Sequence, residues 1–133
     1  MAIWQVAFIL KSPNKDLLST DKTFLNSLNE LEKTLPESKS WCKTYKQYGD
    51  IDSTVIEFDV SERKIDNICL RIDLRCIRQQ QLKEICFFSC ENDLKMEYED
   101  VLYDVNLENF IKIFKISRAS KFLENPEVFL AEL

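Results

Sequence analysis

In "ICLRIDLRCI", residues 68–77, Ile68, Leu70, Ile72, Leu74 and Cys76 recur at every second position. A period of two marks a strand with one dry and one wet face. Arg71, Asp73 and Arg75 then share the wet face. "STVIEFDV", residues 53–60, alternates in the same way: Thr54, Ile56, Phe58 and Val60 face one side, Ser53, Val55, Glu57 and Asp59 the other. The polar turn "SERK" at 61–64 joins the two stretches and predicts an antiparallel hairpin. Opposed residues in such a pair share a face, and their index sum is constant. The apolar positions are even-numbered on both strands, so the sum must be even. Sums of 126 or 128 set Glu57 opposite Cys69 or Arg71. In both registers Arg71 and Arg75 share a face with Glu57 and Asp59, where cross-strand charge pairs are worth ~0.2–1 kcal/mol each.

The dense apolar run Ile3–Leu10, with Trp4 and Phe8, is closed by Ser12-Pro13-Asn14 and predicts a central strand. Residues 21–35 predict a helix, with Phe24, Leu28, Leu31 and Leu35 on one face, Thr20 or Asp21 as its cap and Pro36 as its stop. Residues 37–50 read as a loop leading into a short strand, with Gly49-Asp50 as the turn. A second helix is expected over 78–91, with Leu82, Ile85, Cys86 and Cys90 inward and Phe87 or Phe88 at the margin. "LKMEYEDVLYDV", 94–105, suggests two short strands or one bent strand. A third helix over 107–122 is capped by Asn106, and Asn125-Pro126-Glu127 opens a short terminal helix over 126–132 that would dock Phe129, Leu130 and Leu133. The expected fold class is α+β in one domain, residues 1–133: a mainly antiparallel sheet of about five to six strands with about three to four helices packed on one face.

Composition narrows the chemistry. There is no histidine, which removes Ser-His and Cys-His nucleophiles and histidine metal ligation. A single glycine, Gly49, leaves no glycine-rich phosphate loop and predicts few tight turns of positive φ. Five cysteines, Cys42, Cys69, Cys76, Cys86 and Cys90, are an odd number without a C-x-x-C, so the expectation is reduced, mostly buried thiols in a cytoplasmic protein without a structural zinc. Cys86 and Cys90, four apart on a helix, have the spacing to hold a soft metal, but among Leu82, Ile85 and Phe87 they read as core. No secretory signal or membrane span is expected, since no run approaches ~20 apolar residues. No cofactor is expected.

The net charge of −5 is uneven: residues 1–49 carry seven lysines against five acids, and residues 50–133 eleven basic residues against eighteen acids. That balance argues against nucleic acid as a partner and favours a basic protein. "ENDLKMEYEDVLYD", 91–104, concentrates six acids around Tyr98 and Tyr103 with Lys95 as the one counter-charge. Carboxylates that speed association and tyrosines that anchor it suit a protein interface; a charged edge strand guarded against sheet-to-sheet pairing has the same pattern. The candidate partner-binding residues are Glu97, Tyr98, Glu99, Asp100, Tyr103 and Asp104, with Asp50 and Asp52 beside Tyr48 as a second group. Trp41 and Tyr45 read either as cover for the end of the sheet or as exposed anchors. Glu57 with Asp59, and Glu97 with Glu99, are about 6.6 Å apart along a strand and could act as acid and base. Such pairs are also ordinary on exposed strands.

The tail "SRASKFLENPEVFLAEL" (117–133), the "LRIDLR" strand (70–75) and the N-terminal Trp4 resemble small bacterial immunity proteins of contact-dependent growth inhibition and other polymorphic toxin systems. The resemblance touches about 30 residues and transfers no functional motif. It implies a non-catalytic cytoplasmic protein, monomeric or weakly dimeric when free, that binds and blocks one cognate toxin domain, commonly a nuclease. The alternatives are a small His-free hydrolase using a carboxylate pair, or a non-catalytic adaptor that forms a homodimer through an edge strand.

Overall fold

A computed structural model describes residues 1–13, 18–38 and 44–125 of the chain. Its elements are β1 (Gln5–Lys11), β2 (Leu18–Ser19), α1 (Lys22–Leu31), β3 (Glu37–Ser38), β4 (Tyr45–Gly49), β5 (Val55–Ser61), β6 (Lys64–Asp73), α2 (Gln79–Glu91), β7 (Lys95–Tyr98), β8 (Val101–Asp104), α3 (Leu107–Ile116) and α4 (Arg118–Glu124). The fold is α+β. The strands form one antiparallel sheet in the order β3-β4-β5-β6-β1-β7-β8, with β2 paired to β6. β1 is internal, between β6 and β7, as its dense apolar run predicts. The short pairings of β2 and β3 carry too few residues to show a period. Trp41, Cys42 and the terminal helix expected over 126–132 lie outside the described residues. Among the described residues no helix is long and apolar enough to cross a membrane.

Parity organises the sheet. The β5–β6 hairpin adopts the even register, with Glu57 opposite Cys69 and Val55 opposite Arg71. Between Asp59 and Val60 a bulge shifts the pairing by one, so that Val60 faces Ile65. One extra residue reverses parity, and it brings odd-numbered Ile65 into the core at 2% exposure. Val6, Phe8, Leu10, Ile56, Phe58, Ile68, Leu70, Ile72 and Met96 line the dry face, and all four helices contribute to the core on it. Two groups of aromatic rings join the layers. Phe24, Phe58 and Phe88 meet edge-on with centroids 5.7–5.9 Å apart, tying α1 and α2 to β5. Phe8 meets Phe110 at 5.4 Å and Tyr98 at 5.7 Å, tying α3 and β7 to β1. Such ring pairs add about 0.5–1.5 kcal/mol each beyond the area they bury.

Helix ends follow side-chain chemistry. Asp21 caps α1, accepting from Phe24 N at 2.9 Å, and Asn106 caps α3, accepting from Asn109 N at 2.8 Å. The single helix expected over 107–122 is two, because Ser117 ends α3 and caps α4. Its Oγ donates to the Phe114 carbonyl at 2.7 Å and accepts from Ser120 N at 3.2 Å. The inward face of α2 is Leu82, Ile85, Phe88 and Ser89, with Cys86 half-buried and Cys90 exposed. That corrects the expected Cys86–Cys90 face by a partial turn. The expectation of mostly buried thiols is corrected too: Cys69 is half-buried, and Cys76 is exposed because β6 ends at Asp73.

Positive-φ turns are more numerous than one glycine suggests. Glu62-Arg63 and Glu99-Asp100 close two-residue hairpins with φ between 47° and 65°. The mirror-image turn matches strand twist, and that requirement outweighs the local steric cost of αL at a residue with a Cβ. Gly49 sits at φ +98°, and a Cβ there would collide with the Thr54 carbonyl oxygen. Gly49→Ala is therefore expected to cost about 1–3 kcal/mol, measured as a lowered urea midpoint at unchanged m-value. A midpoint equal to wild type would refute the strain at this position.

Candidate binding surface: an acidic rim at one end of the sheet

The Arg71/Asp73/Arg75 triplet is self-paired, but in two separate ways. Arg71 forms an ion pair with Glu57 across the hairpin, where both side chains are 15% exposed. Tyr45 Oη donates to the same carboxylate. Arg75 instead folds back on Asp73, whose carboxylate is 2% exposed as a residue. The Asp73 Oδ1 accepts the Arg75 backbone N–H at 2.8 Å and its Nε at 3.1 Å, and Oδ2 accepts Nη2 at 3.0 Å and Ser53 Oγ at 3.1 Å. The Asp73 backbone N–H donates to Thr54 Oγ1 at 3.1 Å. Burial acts to raise the Asp73 pKa, but the donors from Arg75 and Ser53 outweigh it and hold the carboxyl below its ordinary value.

This cluster fastens the loop between β4 and β5 to the ends of β1 and β6. The Arg75 guanidinium lies 3.8 Å from the centre of the Trp4 ring. Both groups donate to the Asp52 carbonyl, Trp4 Nε1 at 3.0 Å and Arg75 Nη2 at 3.0 Å. Gln5 Nε2 donates to the carbonyls of Ile51 and Ser53. Inside the loop, Asp50 Oδ1 accepts Asp52 N at 2.9 Å, the turn that an aspartate makes with its own backbone. The exposed tip is thus Asp50-Ile51-Asp52, with Ile51 48% exposed between two acids.

Register places a second acidic turn on the same end of the sheet. Val55 is opposite Arg71, Arg71 is opposite Ala7, and the β1–β7 pairing of Ile9 with Glu97 brings Ala7 level with Glu99. The Asp50–Asp52 loop, between β4 and β5, and the Glu99-Asp100 turn, between β7 and β8, therefore rise from one rim, about 19 Å apart across four strand spacings. The N-terminal residues lie between them. A cavity of about 420 Å³ beside the second turn is lined by Met1, Ile3, Val6, Tyr98, Glu99 and Arg118, among others. Asp50, Asp52, Glu99 and Asp100 are all exposed.

The remaining candidate residues go elsewhere. Glu97 and Asp104 lie on the open face of the sheet, paired with Lys11 and Lys95 respectively. Tyr98 and Tyr103 turn to the helix-covered face and pack partly buried against the core. Burial first, and Glu99 second, raise the Tyr98 pKa. The acid-base pairs do not stand free: Glu57 is held by Arg71, and Glu97 by Lys11. Burial pushes the Cys86 thiol up to about 11, which opposes the thiolate a metal needs. Among the described residues no group of three metal-ligating side chains forms. Sequence reasoning missed Gln5, Trp4 and Ile51 as parts of this rim. Their partners lie 46–48 residues away, so no local period connects them. The chain matches no family model, no curated protein and no solved structure.

Asp73→Asn is expected to lower stability by roughly 1–3 kcal/mol near neutral pH, as for a buried group stripped of charge-assisted hydrogen bonds. A carboxyl with a depressed folded pKa stabilises above its unfolded value of about 3.9 and loses that stabilisation as pH falls through the folded pKa. The gap between wild type and Asp73→Asn should therefore close as the pH drops below about 4. Paired denaturant titrations at pH 7 and pH 3 read this; a gap of equal size at both would show that Asp73 carries no such linkage.

Proposed function

We propose that the protein is an immunity-type inhibitor that binds a basic toxin domain through this acidic rim. The observation that carries the reading is the division of the acids. Glu57, Glu97, Asp73 and Asp104 are held by cations within the chain. Asp50, Asp52, Glu99 and Asp100 stand exposed on one rim around the apolar Ile51 and Ile3. Carboxylates on a loop held by hydrogen bonds from Trp4, Gln5 and Arg75 meet a cationic cleft without the cost of ordering the loop on binding. In a nuclease toxin they would occupy the place of substrate phosphates, and Ile51 would supply a desolvated centre. The resemblance to bacterial immunity proteins supports the same reading. Such a protein acts by occupying a surface and needs no catalytic group of its own.

The Glu99-Asp100 turn offers a test in which lost binding is not confused with misfolding. Asn-Gly is the favoured sequence for this turn type, so the double variant Glu99→Asn, Asp100→Gly is expected to be more stable by roughly 0.5–1 kcal/mol. The same variant, combined with Asp50→Asn and Asp52→Asn, should bind the protein encoded immediately upstream at least about tenfold more weakly, and the wild-type affinity should fall steeply with salt. Measurement is by co-purification and isothermal titration at two ionic strengths. An upstream neighbour that is no toxin, and that does not associate at physiological salt, would refute the reading.

A further inference from the structure

Among the described residues β8 is the last strand of the sheet on its β7 side, and its Val101 and Leu102 are 50% and 48% exposed. Its hydrogen-bond geometry follows from the turn before it. A two-residue mirror-image turn is closed by a hydrogen-bonded pair, here Tyr98 and Val101. Bonding alternates from that point along an antiparallel ladder. Val101 and Tyr103 therefore direct their backbone groups to β7, and Leu102 and Asp104 direct theirs to the outside. The Asp104 carbonyl takes Asn109 Nδ2 at 2.9 Å. The N–H and C=O of Leu102 and the N–H of Asp104 form an outward template for another strand.

Charge decides between occupants. An antiparallel second copy must keep opposed residues on one face, which leaves registers centred on Leu102 or on Tyr103. Centred on Leu102, each copy carries its Asp104 up to the other's Glu99-Asp100 turn, so that acids meet acids at both ends. Centred on Tyr103, each Asp104 is pressed against the other's Leu102. Like charges brought together are destabilising, and so is a carboxylate against an apolar group. A foreign strand with one cation beside the Glu99-Asp100 turn, another opposite Asp104, and apolar residues between, removes both conflicts. The Asp104 side chain stays 70% exposed while Lys95 holds its Oδ1, so a second cation can reach it.

Building on the reading of the protein as a binder of a basic toxin, we propose that β8 is extended by a five-residue segment of that partner in the pattern basic–apolar–apolar–apolar–basic. The central residue exchanges both backbone hydrogen bonds with Leu102. Its two neighbours lie against Val101 and Tyr103 on the helix-covered side. One basic residue lies beside the Glu99-Asp100 turn and the other opposite Asp104, and the strand leaves β8 at the acidic rim.

The probe is a capped synthetic peptide, Ser-Lys-Val-Val-Val-Lys-Ser, added to the full ¹⁵N-labelled chain. Amide exchange at Leu102 and Asp104 should slow at least about tenfold at saturation. A peptide with glutamate for both lysines should bind at least about tenfold more weakly, and the variant Asp100→Lys, Asp104→Lys should reverse that preference. Leu102→Pro removes only an outward N–H, so the chain should keep its fold and lose the peptide. Absence of protection at Leu102 and Asp104, or equal binding of both peptides, overturns the proposal. So does a homodimer that Leu102→Pro dissolves, since the occupant is then a second copy. Retention of an upstream-encoded toxin by Leu102→Pro overturns strand addition and leaves the immunity reading standing. Peptide capture without any toxin partner does the reverse.

Discussion

Burial on a single face of one antiparallel sheet is the constraint on which the rest of this molecule depends. All four helices contribute to the core on that face, so each strand must turn its apolar set the same way. A slip of one residue would send Ile56, Phe58, Ile68, Leu70 and Ile72 into water together, and full burial of each such side chain is worth about 1.5–3 kcal/mol. The bulge at Asp59/Val60 meets the same demand from the other side: it shifts parity so that Ile65 and Val60 can still turn inward near the hairpin tip.

With one face committed to the core, the open face carries short-range electrostatics and little freedom. Arg71–Glu57, Lys11–Glu97 and Lys95–Asp104 pair across neighbouring strands, each within reach only because the register is fixed by the hydrophobic face. Acids at the rim escape that pairing because they sit in turns, outside the ladder. For these carboxylates, placement in a strand or in a turn separates the paired from the exposed.

Much of this is legible in the chain alone. Period-two alternation located β5 and β6, and parity set Glu57 on the face of Arg71. Asp21 and Asn106 were readable as caps, because a cap is a local chemical fact. What escaped has physical reasons. The two-residue strands β2 and β3 are too short to show a period. The Ser117 break was masked because apolar residues continue on both sides of it. The burial of α2 depends on the neighbours of Phe88, a tertiary fact, so the helical period alone sets Cys90 inward. Most instructive is the acidic segment 91–104. Its composition suggested one interface, but alternation sends Glu97 and Asp104 to the open face, Tyr98 and Tyr103 to the core, and leaves Glu99 and Asp100 in the turn.

The same alternation bears on why β8 is guarded as it is. An edge with outward N–H and C=O groups and two half-exposed apolar residues invites pairing with any chain, itself included. β3, at the opposite end of the sheet order, has two described residues. β8 is longer, with the acidic Glu99-Asp100 turn before it and Asp104 at its end. Repulsion between that turn and Asp104 across a twofold would discourage self-association, without shortening the strand or placing a proline in it. A proline at Leu102 would protect the edge against every partner alike. Carboxylates protect it against copies of itself and leave it open to a cationic strand. An edge that had only to be kept from aggregating could use either device; selectivity by charge is the one that leaves a use for the edge.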